Sequence, residues 1–115
     1  MFRVSQSRSR GAMTLEASPL ADGQVATTTG AVFTATAESI VKWATFHNTS
    51  TTLQTLNIYF TRSGQTRRQL YQVSLKARKT FFWDEPLSLS SGDVISADTT
   101  TASTVDYVIA GAVNA

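Results

Sequence analysis

From about residue 24 to the end of the chain, apolar and polar positions alternate in short runs, and Gly, Pro, Asn, Asp or Ser breaks the runs at near-regular intervals. A period of two puts one set of side chains in a core and the other in water, so the pattern predicts half-buried β-strands. The clearest alternation has Leu56, Ile58 and Phe60 on one face and Thr55, Asn57, Tyr59 and Thr61 on the other. Arg62-Ser63-Gly64-Gln65 follows, with a glycine where a hairpin needs a positive φ. Leu70 to Leu75 is the expected return strand, with Tyr71, Val73 and Leu75 on one face.

The remaining runs read in the same way. Gln24 to Thr29 and Ala31 to Ala37 form an entry strand or pair of strands, with Gly30 as a break or bulge. Ile40 to His47 is β-branched and aromatic, and Asn48-Thr49-Ser50-Thr51-Thr52 ends it with turn chemistry. Lys76-Ala77-Arg78-Lys79 is a polar turn before the aromatic strand Thr80-Phe81-Phe82-Trp83, which Pro86 closes. Leu87 and Leu89 lead into the turn Ser90-Ser91-Gly92-Asp93, and Val94 to Ala97 is a short strand. Asp98 to Thr104 reads as a polar loop, and the last strand sets Val105, Tyr107, Ile109, Gly111 and Val113 against Asp106, Val108, Ala110 and Ala112. The fold expected over residues 24–115 is therefore all-β: a single antiparallel β-sandwich or jelly roll of seven to eight strands. Residues 1–23 have neither period and carry Gly11, Pro19 and Gly23, so they are expected to form an extended N-terminal arm.

Composition sharpens this picture. At 115 residues the chain supports one core, and only 16% of it is charged against roughly 25% for an ordinary soluble domain. Thr, Ser and Ala cover the surface instead, which suits strands and disfavours long helices. There is no cysteine, which removes disulfide frameworks, zinc ribbons and thiol nucleophiles. No run approaches the roughly 20 apolar residues that span a bilayer, so no membrane role is expected. The basic start lacks an apolar segment behind it, so export by the Sec route is not expected.

The net charge is only +2, but it is unevenly placed. Arg3, Arg8 and Arg10 mark the amino terminus, and Arg62, Arg67, Arg68, Lys76, Arg78 and Lys79 follow one another with no acid between. From Thr80 onward there are acids, Asp84, Glu85, Asp93, Asp98 and Asp106, and no Lys or Arg. A basic face on one copy meeting an acidic face on another would set their register. The plain alternative is that turns collect solvated charge. Nucleic acid is not an expected partner, because the acidic last third would repel a phosphate backbone.

Catalytic chemistry finds little to build on. His47 is the only histidine, which excludes a multi-histidine metal site, and no Gly-x-Ser-x-Gly elbow exists for a Ser-His-Asp triad. Asp84 and Glu85 are adjacent and would point to opposite faces of a strand, a poor glycosidase pair. Asp93 and Asp98 match no EF-hand spacing. Asn48-Thr49-Ser50 matches a glycosylation acceptor but reads as a turn. Trp43, Phe81, Phe82 and Trp83 could form a sugar-stacking platform, although a domain this small needs such side chains for its core. No catalytic residue, cofactor or metal is expected.

The strand-turn-strand run from Ile40 through Asn48-Thr49-Ser50 to Leu56-Asn57-Ile58-Tyr59-Phe60 resembles small β-sandwich structural proteins of tailed bacteriophages. Leu87-Ser88-Leu89-Ser90-Ser91-Gly92-Asp93-Val94-Ile95 and the closing Val105 to Val113 strand share the resemblance, which covers about residues 24–113. It implies a virion structural protein of the capsid-decoration, head-fibre-base or neck type, in a particle assembled in the cytoplasm of a bacterial host. It also implies a homo-oligomer, a trimer first of all, with other virion proteins such as the major capsid, neck or tail proteins as partners. The expected contact residues are Arg3, Arg8 and Arg10 in the arm and Arg62, Arg67 and Arg68 at the hairpin. The alternative is a carbohydrate-binding or receptor-binding module of a tail fibre, with Trp43 or Trp83 exposed for stacking.

Overall fold

The computed structural model describes residues 18–114. Nine strands form in chain order: β1 (Ser18–Gln24), β2 (Gly30–Thr34), β3 (Ser39–Asn48), β4 (Gln54–Thr61), β5 (Arg68–Leu75), β6 (Thr80–Trp83), β7 (Leu87–Leu89), β8 (Val94–Thr99) and β9 (Val105–Val113). All pairings are antiparallel. Each early strand is bonded to a late one in nested order, β1 with β9, β2 with β8, β3 with β6 and β7, and β4 with β5. The chain is thus a long two-stranded ribbon closed by the β4–β5 hairpin. Rolling the ribbon brings β9 against β3 and β8 against β4, which yields one sheet ordered β1-β9-β3-β6, with β7 also on β3, and another ordered β2-β8-β4-β5. Counting β6 and β7 as one strand interrupted at Asp84-Glu85-Pro86, this is the eight-stranded jelly roll.

The expected alternation sets the core. Leu56, Ile58, Phe46, Val41, Ile95, Val105 and Ile109 are fully buried between the sheets, and Trp83 and Leu89 close the β6–β7 side. Burial of each such side chain contributes about 1.5–3 kcal/mol. Tyr71 packs edge-on against Phe81 and Trp83, with ring centroids 5.1 and 5.7 Å away. On the outer face of the first sheet, Trp43 stacks on Phe82 at 6.2 Å, and Phe82 is 54% exposed.

Several segments differ from the sequence reading. Residues 25–29, expected as an entry strand, connect β1 to β2, and the strand expected over Ala31 to Ala37 runs from Gly30 to Thr34. The alternation expected in the last strand stops at Ile109, after which Ala110 and Ala112 are buried and Val113 is 40% exposed. Residues 18–23, within the segment expected to be an arm, pair with β9 as most of β1. As an edge strand with little buried side-chain surface, β1 carries no alternation to read, and Pro19 sits at a register irregularity where a missing N–H is tolerated. Leu87–Leu89 is itself a strand, short because Pro86 starts it and Ser90 turns it. Asp98 lies in a strand and not in a loop: β8 continues to Thr99, with Asp98 outward opposite Asn57 and Thr99 inward opposite Leu56.

Loops gather at the two ends. At one, the fully buried Asn48 carboxamide donates to the carbonyls of Thr52, Leu75 and Lys76, at 2.8, 2.9 and 3.2 Å, and accepts from the Ser50 N–H at 2.9 Å. Its side chain is therefore consumed inside the fold and offers no glycosylation site. Buried Gln54 works alongside, its Oε1 accepting from the Thr101 N–H at 2.9 Å.

Where β9 crosses β3, the backbones approach closely. A Cβ on Gly111 would lie 1.9 Å from the Ile40 carbonyl oxygen, next to the bulge between Val41 and Trp43. Gly111→Ala should destabilise the domain by about 3 kcal/mol, by separating strands at a close contact. Gly30→Ala, where the added Cβ finds only ordinary contact, is the matched control and should stay within about 0.5 kcal/mol in urea unfolding. Conversely, Thr99 Oγ1 is buried without a hydrogen-bond partner among the described residues. Thr99→Val should stabilise the domain by about 1 kcal/mol, read as a higher urea midpoint at unchanged slope.

Candidate binding cleft at the loop end

The rolled ribbon brings three loops together at the other end: residues 35–38, 62–67 and 90–93. Two of them are tight turns with a glycine at the third position. The Gln65 N–H donates to the Arg62 carbonyl at 2.9 Å around Gly64, and the Asp93 N–H donates to the Ser90 carbonyl at 3.0 Å around Gly92. The turns touch: a Cβ on Gly92 would stand 2.8 Å from Ser63 Oγ. The third loop joins through the Gly92 N–H to the Ala35 carbonyl at 2.7 Å and the Ala35 N–H to the Asp93 carbonyl at 2.9 Å.

Asp93 is the clasp. Its side chain is buried, Oδ1 accepts from the Ser63 N–H and Oδ2 from the Ser90 N–H, both at 2.9 Å. These two backbone donors, with the Arg62 charge adding to them, hold its carboxyl below the ordinary carboxylate range. Beside the clasp opens a cleft of about 520 Å³, with Arg62, Arg68, Ser63, Gln65, Thr66 and Ser90 on its walls. Half-buried Phe60, paired with Arg68 across β4 and β5, also lines it.

The structure divides the arginines expected to act together. Arg62 and Arg68 share the cleft, whereas Arg67 leaves it and lies 4.4 Å above the Tyr59 ring centroid, on the outer face of the second sheet. Lys76, Arg78 and Lys79 occupy the opposite end, because the eight residues of β5 place about 26 Å between the two groups. Arg3, Arg8 and Arg10 lie outside the described residues.

The acids do not form one face. Asp84 and Glu85 are exposed in the β6–β7 connection, Asp93 is in the clasp, and Asp106 accepts from Gln24 Nε2 at 3.0 Å on the first sheet. Asp98 lies on the second, accepting from Thr29 Oγ1 at 2.6 Å and Asn57 Nδ2 at 2.8 Å. Burial raises the Asp98 pKa, but bonds from Thr29, Asn57 and Tyr59 and the nearby Arg67 charge outweigh it and leave the carboxyl below its usual range. Other candidates fall to structural roles. Trp83 is 3% exposed with its Nε1 donating to the Glu85 carbonyl at 2.6 Å, so it cannot stack on a sugar. His47 Nδ1 meets Thr80 Oγ1 at 2.7 Å across β3 and β6. Among the described residues no group of three or more His, Asp or Glu could hold a metal.

No family model matches the chain, and no curated protein does. Among solved structures, a chain of infectious bursal disease virus Gx strain is similar at a TM-score of 0.37 and 13% identity, over 87% of this chain and 32% of that one. A likeness at that level carries no argument about role.

The clasp makes stability pH-dependent with a defined sign. A carboxyl whose folded pKa lies below its unfolded value of about 3.9 stabilises the fold above that pH, and the contribution is lost as pH falls through the folded value. Thermal unfolding between about pH 5 and pH 2 should therefore show a falling midpoint. Asp93→Asn should lower the midpoint at neutral pH and flatten the acid fall, leaving the part that belongs to Asp98. An acid fall equally steep in the variant would remove Asp93 from this role.

Proposed function

We propose that this chain is a structural protein of a bacteriophage virion, which assembles as a homo-oligomer and decorates or connects parts of the particle, as a capsid-decoration, fibre-base or neck component. The observation that carries the reading is the strand order. A nested, rolled ribbon of eight strands makes a compact block with loops at both ends and short edges, an architecture used in viral shells as well as in lectin domains and cupins. The loop segments that resemble tailed-phage proteins, around Asn48 and around Gly92, are those that bind the two ends of the block together. A surface covered by Thr, Ser and Ala loses little on burial against a neighbour, because few charges must be desolvated.

Assembly is assigned to a contact between unlike patches of two copies. Arg67 lies exposed over Tyr59 on the outer face of the second sheet, while Asp84 and Glu85 are the exposed acids in the interruption of the other sheet's edge. Opposite charges on different patches favour a head-to-tail contact, which closes into a ring when the rotation permits, and a trimer is the smallest such ring. The carbohydrate reading loses Trp83 to burial, keeps half-buried Trp43 stacked on exposed Phe82, and finds further support in the cleft.

Light scattering on the full chain should give three chain masses at micromolar concentration. Arg67→Glu should shift the mass toward one chain, and adding Asp84→Lys and Glu85→Lys to it should restore the trimer. The same measurement on a chain beginning at Ser18, which keeps β1 whole, shows whether the preceding residues contribute. A full chain that is monomeric at every concentration and salt would overturn the oligomer, and an Arg67→Glu variant with unchanged mass would overturn the charge register.

A further inference from the structure

The cleft beside Asp93 has a chemistry that copy-to-copy assembly leaves unused. Its volume lies within the range of about 300–1,000 Å³ typical of small-ligand sites. Among the described residues, Arg68 has no carboxylate or hydrogen-bond partner. Arg62 feels the Asp93 charge, but both Asp93 oxygens are already taken by backbone N–H groups. Two arginines with donors to spare thus line one cavity, a composition suited to a carboxylate held by paired hydrogen bonds. The hydroxyls of Ser63, Thr66 and Ser90 and the Gln65 carboxamide also line it, and none of them bonds within the described residues. Phe60 adds a single apolar patch beside Arg68.

We infer that this cleft binds an acidic saccharide, with the carboxylate of a hexuronate on Arg62 and Arg68 and its ring hydroxyls on Ser63, Thr66 and Ser90. Hydroxyls and amides match a sugar ring because each both donates and accepts, and Phe60 meets the ring's C–H face. A peptide carboxylate would use the arginines and leave the hydroxyl wall unengaged. A phosphate would compete for the same two arginines, and titration with inorganic phosphate separates it from a hexuronate. The inference does not depend on how copies assemble. It adds to a particle component a means of holding an acidic polysaccharide.

Isothermal titration of the full chain with trigalacturonate at about 0.15 M salt tests it, with trimethyl trigalacturonate, hexa-aspartate and inorganic phosphate as comparison probes, followed by triglucuronate and trimannuronate. The expected result is saturable binding of at least one hexuronate, weakened at least about tenfold by Arg62→Gln and by Arg68→Gln, since charge-assisted bonds to a carboxylate are worth that much. Arg78→Gln, at the opposite end, should leave the affinity unchanged. Amide resonance shifts should centre on Ser63, Gln65, Thr66, Ser90 and Ser91. Three results would overturn the inference: no binding of any of the three hexuronates, equal affinity for hexa-aspartate or phosphate, or affinity unaffected by both cleft variants in chains with unchanged unfolding midpoints.

Discussion

Buried polar side chains at the strand ends hold this rolled ribbon closed. Rolling takes loop backbone away from water at both ends, and every carbonyl and N–H so removed must find a partner or cost free energy. Asn48 and Gln54 meet that demand at one end, Asp93 at the other. The two ends are solved with different chemistry. Neutral carboxamides suit the Asn48 end, where three carbonyls converge and need a donor. A carboxylate suits the other, where two backbone N–H groups converge and need an acceptor. An Asn at position 93 would present an NH₂ group to one of those donors, and an Asp at position 48 would face three carbonyls.

The cleft follows from this clasp. Because Asp93 spends both oxygens on backbone donors of two different turns, it fixes the spacing of the 62–67 and 90–93 loops and forms no side-chain hydrogen bond with the arginines of the cleft among the described residues. The Ser63 side chain crowds Gly92, where an added Cβ would stand 2.8 Å from its Oγ, and the φ of +93° disfavours a side chain there independently. The walls of the cleft are therefore set by the fold's own closure, and the charge that remains in it is predominantly basic.

How much of this the residues disclose depends on range. Period-two runs in strands with one buried face, such as Leu56-Ile58-Phe60 and Val105-Tyr107-Ile109, are read correctly because burial imposes them locally. Thr80 to Trp83 is legible for the same reason, and the turn at Gly64 because its positive φ calls for glycine. Edge and outward positions are not. β1 carries no apolar period, and Asp98 reads as loop because its outward bonds to Thr29 and Asn57 are formed by residues 69 and 41 positions away. The arginines from 62 to 79 form a single cluster only along the chain, since a strand inside it carries its two halves to opposite ends. Residues 35–38, 62–67 and 90–93 meet only because early strands pair with late ones in nested order, and no local pattern in the chain encodes that order.

Charge along the chain and charge in space are thus different quantities here. Five acids in the last third suggest an acidic face, yet the fold spends three of them locally: Asp93 in the clasp, Asp98 under Tyr59 and Arg67, and Asp106 with Gln24. An acid already accepting short hydrogen bonds from its own chain has little left to offer a partner, because its desolvation is compensated internally. Asp84 and Glu85, lifted out of the sheet by the break before Pro86, accept no such bond among the described residues and keep their charge available for another molecule. The arginines divide in the same way, with Arg67 drawn to Tyr59 and Asp98 while Arg62 and Arg68 remain in the cleft. The surface therefore offers several separate electrostatic features: the acidic break on one edge, exposed Arg67 on the outer face of the second sheet, the basic cleft at one end, and Lys76, Arg78 and Lys79 at the other. The acidic break and the cleft can take different partners without competing for the same side chains.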